Sequence, residues 1–202
     1  MTIASVQLIR KAVLLLVVLG GVVLFAIGTC TYDHDRSVHM FVKWTGLSAM
    51  VVCVLGRTWC ALYIGGRKID DLVTVGPYSV VRNPLYWFSV LGTAGAGAQF
   101  GSILSALAFA AISLTVFRVV VAQEEKLLLM RHGQAFADYA ALVPRFLPDP
   151  RLWKDMPLLT VRPGNVVRTF GDALLLMLFL PVSELFERLQ LSGALPVLLR
   201  LP

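Results

Sequence analysis

Two adjacent carboxylates, Glu124 and Glu125, stand near the end of one long apolar run, and a stretch reading GPYSVVRNPLYW, residues 76–87, stands at the start of another. The second stretch sets Arg82 and Asn83 among two prolines and two tyrosines, groups that seek hydrogen bonds where the flanking sequence is greasy. Ionisable groups in such surroundings are costly to bury and mark pairs or sites. The glutamates admit two readings. Either they are solvated at the edge of an apolar helix, or they hold a cation or take a proton. Arg118 precedes them and Arg145 follows. A metal is not indicated, because Cys30, Cys53 and Cys60 form no CxxC pair and read as small packing residues.

The elements that position these groups follow from composition. Of 202 residues, 57% are hydrophobic and only 15% charged, with a mean hydropathy of +0.77. Soluble domains carry roughly a quarter charged residues, so lipid is the expected solvent. The net charge of +6 does not point to nucleic acid, since the basic residues lie between apolar segments. A spanning helix needs about 20 apolar residues. Residues 12–29 supply a first span, read as retained in preference to a signal peptide, and residues 38–64 a second, with Lys43 and Arg57 inside it. Residues 85–121 are too long for one crossing, and GAGAQFGS at 95–102 marks the turn of a tight hairpin. Residues 149–202 form a C-terminal extension whose uncharged core, 173–183, is read as a short fifth span in preference to an interfacial helix. The expectation is a single all-α integral-membrane domain of about five transmembrane helices. Lysine and arginine accumulate on alternate sides. The positive-inside rule therefore puts the N-terminus, the loop carrying Arg67 to Arg82 and the segment from Lys126 to Arg168 in the cytoplasm. DHDRSVH, residues 33–39, falls on the opposite side as a solvated loop.

Both polar stretches then lie at one membrane face, brought together by the hairpin. Pro84 holds Asn83 extended and sits in the first turn of the third span. Glu124 and Glu125 lie on a helix that stops near Gly133.

This pairing resembles the membrane methyltransferases of the isoprenylcysteine carboxyl methyltransferase and phospholipid N-methyltransferase group. Their pattern is matched by Gly76, Tyr78, Val81, Arg82, Asn83, Pro84 and Tyr86, then by Glu124, Glu125, Gly133, Phe136, Tyr139, Val143, Pro144, Arg145 and Pro148. The likeness covers a methyltransferase-like core at residues 57–148. It implies S-adenosyl-L-methionine in a cytoplasm-facing pocket, with Gly76, Tyr78, Val81, Arg82, Asn83, Pro84, Tyr86, Glu125 and Tyr139 around the cofactor. Glu124, Glu125, Arg118 and Arg145 would stand near the methyl acceptor, a lipophilic or prenylated molecule entering from the bilayer of a plasma or bacterial inner membrane. The chain departs from the pattern in places. Asn83 replaces a histidine, Val120 stands where an arginine is expected, and Arg118 is two residues early, a rotation of about 200° on a helix. His132 stands where phenylalanine is frequent, and the extension after Pro148 has no counterpart in short members.

Methyl transfer from a sulfonium is an in-line displacement in which positioning dominates. A carboxylate acceptor needs only a cation to orient it, whereas an amine needs a base such as Glu124 or Glu125. Two other readings compete: a nicotinamide-dependent membrane reductase, which shares an Arg-His-Pro-type stretch, and a membrane scaffold without turnover.

Overall fold

A computed structural model describes residues 20, 21, 23, 28–30, 36–64, 71–195 and 199–201. Helix α1 (Arg36–Ile64) is followed by the short α2 (Pro77–Val80), α3 (Pro84–Ala98), α4 (Ile103–His132) and α5 (Gln134–Leu142). After a 3-10 turn at Pro150–Leu152 come α6 (Pro163–Leu174), a 3-10 segment at Leu175–Leu178 and α7 (Phe179–Leu191). The only sheet among the described residues is a three-residue parallel pairing of β1 (Gly28–Cys30) with β2 (Leu199–Leu201). The chain is an all-α membrane protein.

Among the described residues, three helical stretches are long and apolar enough to cross a membrane: Ser37–Ile64, Ile103–His132 and Pro163–Leu191. At 15 residues, α3 is too short for a crossing of its own. The first expected span lies mostly outside the described residues. Gly20, Gly21 and Val23 are helical, and the strand at Gly28–Cys30 ends that span before Thr29. The C-terminal stretch is longer than its uncharged core suggested, running as one helical rod from Pro163 to Leu191. Its 3-10 segment has a local cause. Pro181 has no N–H to offer the turn before it and crowds that turn's carbonyls, which tighten instead.

The hairpin is α3 and α4. The small-residue run does not unwind where it begins; α3 continues through it to Ala98, and the reversal is confined to residues 99–102. Ser102 caps α4 by accepting from the Ser105 amide at 3.3 Å. Small residues let α1 and α3 approach closely. A Cβ placed on Gly46 would lie 2.7 Å from the Gly95 carbonyl oxygen and 2.6 Å from Ala98 Cβ, the near-contact packing that membrane helices favour. Thr93 donates to Ser113 Oγ at 2.7 Å, joining the two arms through a buried hydroxyl pair. Leucine and valine side chains on the outer faces, such as Leu55, Leu107 and Val119, are more than half exposed and meet lipid.

At the turn end of the hairpin, α1 meets α7. Lys43 Nζ pairs with Glu187, and Gln99 Nε2 donates to the Lys43 carbonyl at 3.2 Å. His39 belongs to α1 and its ring nitrogens are buried, so the part of DHDRSVH from Arg36 onward is helix rather than solvated loop. Residues 33–35 lie outside the described residues.

At 30 residues, α4 is about 45 Å long, against about 30 Å for the hydrocarbon layer. Its last turns therefore emerge from the bilayer, and these are the turns that carry Glu124 and Glu125.

Candidate functional site

Glu125 is the centre of a buried polar cluster. Its Oε1 accepts from Asn83 Nδ2 at 3.1 Å, and its Oε2 accepts from Arg145 Nε at 2.9 Å and from Arg145 Nη2. Arg82 Nε lies 3.4 Å from Oε1, close enough for an ion pair but without hydrogen-bond geometry. Two cations and an amide thus converge on one carboxylate that is 8% exposed. The adjacent Glu124 is half-buried and faces the other way, accepting from the Tyr86 hydroxyl at 2.8 Å. One turn of α4 consequently presents two carboxylates with different duties. Glu125 is committed on both oxygens, and Glu124 is tied to α3 through Tyr86.

The elements hold these side chains for identifiable reasons. Pro84 starts α3, but Asn83 before it is not extended as expected: with φ −126° and ψ 54° its backbone already bends towards the helix it precedes. The Asn83 side chain does not cap its own helix; it crosses to Glu125 and to the Arg145 carbonyl at 3.3 Å. Gly76 has φ +59°, a conformation that suits glycine, and a Cβ there would collide with the Tyr63 ring. Gly133, with φ +52°, ends α4 and reverses the chain into α5. This reversal packs Phe136, Tyr139 and Val143 against Leu72 and Leu128.

Backbone bonds then lace the two motifs together. The Arg82 amide donates to the Pro144 carbonyl at 2.9 Å, the Asp149 amide to the Val80 carbonyl at 2.9 Å, and the Gly76 amide to the Lys154 carbonyl at 2.7 Å. Arg82 Nη1 donates to the Ala140 carbonyl at 2.9 Å, and the Tyr139 hydroxyl to the Tyr78 carbonyl at 2.7 Å. Trp59 of α1 stacks on Trp153 with ring centroids 5.7 Å apart, tying α1 to the segment that follows the 3-10 turn.

Between these segments lies a small cleft, open in part to solvent. Its polar lining is Tyr78, Arg82, Asn83, Glu125 and Tyr139; Ile64, Leu72, Val73, Leu128 and Phe136 complete it. Burial raises the Tyr78 phenol well above its ordinary value of 10, with the negative field of neighbouring groups adding to it. Burial also raises Tyr139, against an opposing pull from Arg82. Both phenols stay protonated at neutral pH. Tyr78 Oη and Arg82 Nε are fully buried and have no hydrogen-bond partner among the described residues. Buried donors left unmade are expensive, so a polar molecule in the cleft is the natural partner for both.

Of the sequence-predicted residues, Tyr78, Arg82, Asn83, Glu125 and Tyr139 line the cleft, and Arg145 braces it from behind. Gly76, Val81 and Pro84 shape the backbone, while Tyr86 and Glu124 form a neighbouring pair. Arg118 stands apart, exposed on α4 two turns before Glu125, about 10 Å along the helix. Sequence reasoning did not single out Ile64, Leu72, Val73 or Leu128, because apolar residues lining a cleft look the same as apolar residues facing lipid. Among the described residues no group of three histidine, cysteine or acidic side chains is placed to hold a metal ion.

The family model for phospholipid methyltransferases matches residues 38–135, from the start of α1 to the start of α5. The chain belongs to this family of membrane methyltransferases. Among its relatives is the nickel-cobalt-cadmium resistance protein NccN of Alcaligenes xylosoxydans xylosoxydans, 34% identical over 92% of this chain and 87% of that protein. The cobalt-zinc-cadmium resistance protein CzcN of Cupriavidus metallidurans is 32% identical over 86% of this chain and 82% of its own length. Protein-S-isoprenylcysteine O-methyltransferase B of Arabidopsis thaliana is 31% identical over 50% of this chain and 52% of the plant protein. No solved structure matches. An alignment that takes in 92% of the chain necessarily includes most of residues 149–202, so NccN shares the C-terminal extension.

Proposed function

We propose that this protein is an S-adenosyl-L-methionine-dependent methyltransferase that modifies a lipophilic acceptor at the cytoplasmic face of the membrane. The observation that carries this reading is the cleft. Tyr78 and Arg82, whose Oη and Nε make no hydrogen bond within the protein, line the same space as Glu125, a carboxylate that pairs with Arg82 and Arg145 and accepts from Asn83. S-adenosyl-L-methionine offers a carboxylate, hydroxyls and a sulfonium, and so fits a lining of protonated phenols, a guanidinium donor and an anion. When bound it supplies an activated methyl group.

The chain's residues do the positioning. Arg82 and Tyr78 donate to the cofactor's oxygens, and Tyr139 and Phe136 present ring faces towards positive charge. Glu125 fixes Asn83 and Arg82 in register, while Arg145 locks Glu125. With both Glu125 oxygens occupied, Glu124 is the carboxylate we assign to proton removal from an amine acceptor; a carboxylate acceptor requires none. Val120 and the exposed Arg118 leave no arginine of α4 beside this pair, so the cation that orients an anionic acceptor comes from another helix. The cytoplasmic orientation rests on the lysine and arginine distribution.

Calorimetric titration of S-adenosylhomocysteine into the detergent-purified protein tests the reading. Saturable micromolar binding that is weakened by both Glu125→Ala and Asn83→Ala supports it. Absence of binding in a folded sample refutes it and favours the nicotinamide reductase or the scaffold.

The resistance names of NccN and CzcN support a second reading, in which the protein contributes to tolerance of divalent heavy metals. The two readings meet in one measurement. A strain lacking the protein is complemented with wild type or Glu125→Ala and challenged with nickel, cobalt or cadmium. Rescue by wild type alone makes the cleft the means of resistance, and equal rescue by both separates resistance from methyl transfer.

A further inference from the structure

Arg57 is a cation that the cleft does not use. It lies inside the span Ser37–Ile64, seven residues before its end, about 10 Å along the helix. An arginine that snorkels sends its head to the headgroup layer. This one turns into the bundle, where Nη1 donates to Ser89 Oγ on α3. Ser89 gives its own proton to the Leu85 carbonyl at 2.7 Å, so it offers the guanidinium a lone pair and no charge. Arg57 Nε is fully buried without a hydrogen-bond partner, and among the described residues no carboxylate pairs with the side chain.

A guanidinium cannot shed its proton to escape this position, and its fork matches carboxylate and phosphate oxygens. An uncompensated charge at membrane depth calls for a partner of opposite sign. The position is next to the cleft. One turn along α1, Cys60 packs with Ile64 and Tyr78, both of which line it. One turn back along α3 from Ser89 is Tyr86, the partner of Glu124.

We propose that Arg57, braced by Ser89, is an intramembrane oxyanion subsite. It receives the carboxylate or phosphate of an acyl-chain amphiphile that enters from the bilayer, two helical turns along α1 from Ile64 of the cleft lining. The subsite discriminates by charge: an acid is retained and its uncharged ester is not. That this amphiphile is the methyl acceptor, its reacting end extending towards Glu124, rests on the methyltransferase reading above. The subsite itself does not.

The test uses the full chain in neutral phosphatidylcholine nanodiscs and follows tryptophan quenching, Trp59 being two residues from Arg57. The probes are dibromostearate, a brominated phosphatidic acid and dibromostearate methyl ester. Saturable quenching by the two acids is expected, with the ester at least about tenfold weaker. Arg57→Gln abolishes this preference, whereas Arg57→Lys and Ser89→Ala, which keep the charge, retain it. Equal quenching by acid and ester in the wild type, or an unchanged preference in Arg57→Gln, overturns the proposal. Inorganic phosphate separates the two sources of anion. Failure to compete supports a chain-borne group, and displacement at equal concentration reassigns the position to a soluble anion. S-adenosylhomocysteine binding is measured on the same samples. Unaltered binding by Arg57→Gln shows an intact fold, and if that variant does not fold, the wild-type preference and its retention in Arg57→Lys decide. If the wild type fails to bind the nucleoside, the methyltransferase reading falls while the acid preference still decides the subsite.

Discussion

Replacing Glu125 by glutamine keeps the shape of the side chain and removes the charge on which Arg82, Asn83 and Arg145 converge. Of the two ion pairs, the one with Arg82, 3.4 Å long, is the stronger, because its side chains are only 13% and 9% exposed. At an effective dielectric constant of about 20 its gross attraction is roughly 5 kcal/mol. Arg145 is 47% exposed on its side chain and contributes at most about 1 kcal/mol after screening. Breaking a buried pair by removing one partner costs about 3–5 kcal/mol, since the surviving charge is stranded. We take about 3 kcal/mol as the expected loss, because Arg82 retains the Ala140 carbonyl as an acceptor. That corresponds to roughly a 150-fold shift in the folding equilibrium and to a melting temperature lower by about 6–12 °C. Melting of Glu125→Gln, Arg82→Gln and the double variant in one detergent measures the coupling directly. An interaction energy of about 1 kcal/mol or more is expected. Additive effects, or a Glu125→Gln protein that melts with the wild type, would refute the view of Glu125 as the hub of the cluster.

Tyr78→Phe removes a buried hydroxyl that has no partner, so the ligand-free protein should melt at the same temperature or about 2–4 °C higher, while S-adenosylhomocysteine binds about tenfold more weakly in calorimetry. Because burial raises the Tyr78 phenol above its unfolded value of 10, the group adds no pH dependence below pH 10, and as pH rises above that point the unfolded state ionises first and stability falls. Alkaline melting curves should therefore fall less steeply for Tyr78→Phe than for wild type. Gly46→Val forces side-chain carbon against the Gly95 carbonyl and Ala98, and should cost about 1–3 kcal/mol through overpacking, read as a lower melting temperature. Arg118→Gln should leave cofactor-analogue binding unchanged, whereas Arg145→Gln, which frees Glu125, should weaken it; equal effects would bring Arg118 back into the site.

Much of the molecule is legible along the chain because its information is local. An apolar run of sufficient length specifies a membrane helix, since lipid leaves the backbone no other way to satisfy its hydrogen bonds. The second span follows from that rule, whereas the reversal near Gln99 and the stop at Gly133 are marked by glycines that take positive φ at Gly101 and Gly133. The two polar motifs can be recognised for the same reason, each being a short string of special residue types. Where length competes with local charge, the reading of the chain is weaker. The C-terminal helix extends well beyond its uncharged core, and the small residues before Gln99 stay helical because α1 packs on them.

The partners chosen by the polar side chains were decided only in three dimensions. Residue types identify Glu124 and Glu125 as a pair, but they do not reveal that adjacent positions on α4 face different neighbours, one meeting Tyr86 and the other Asn83 with two arginines. They mark Arg57 as costly without showing whether it reaches outward or inward, a question settled by Ser89, which lies 32 residues away in sequence. They also cannot separate Leu72 or Leu128 from lipid-facing leucines. In a membrane protein the same apolar surface serves lipid, core and cleft, so hydrophobicity places the helices along the chain. Only the packing of one helix against another assigns each side chain to a face.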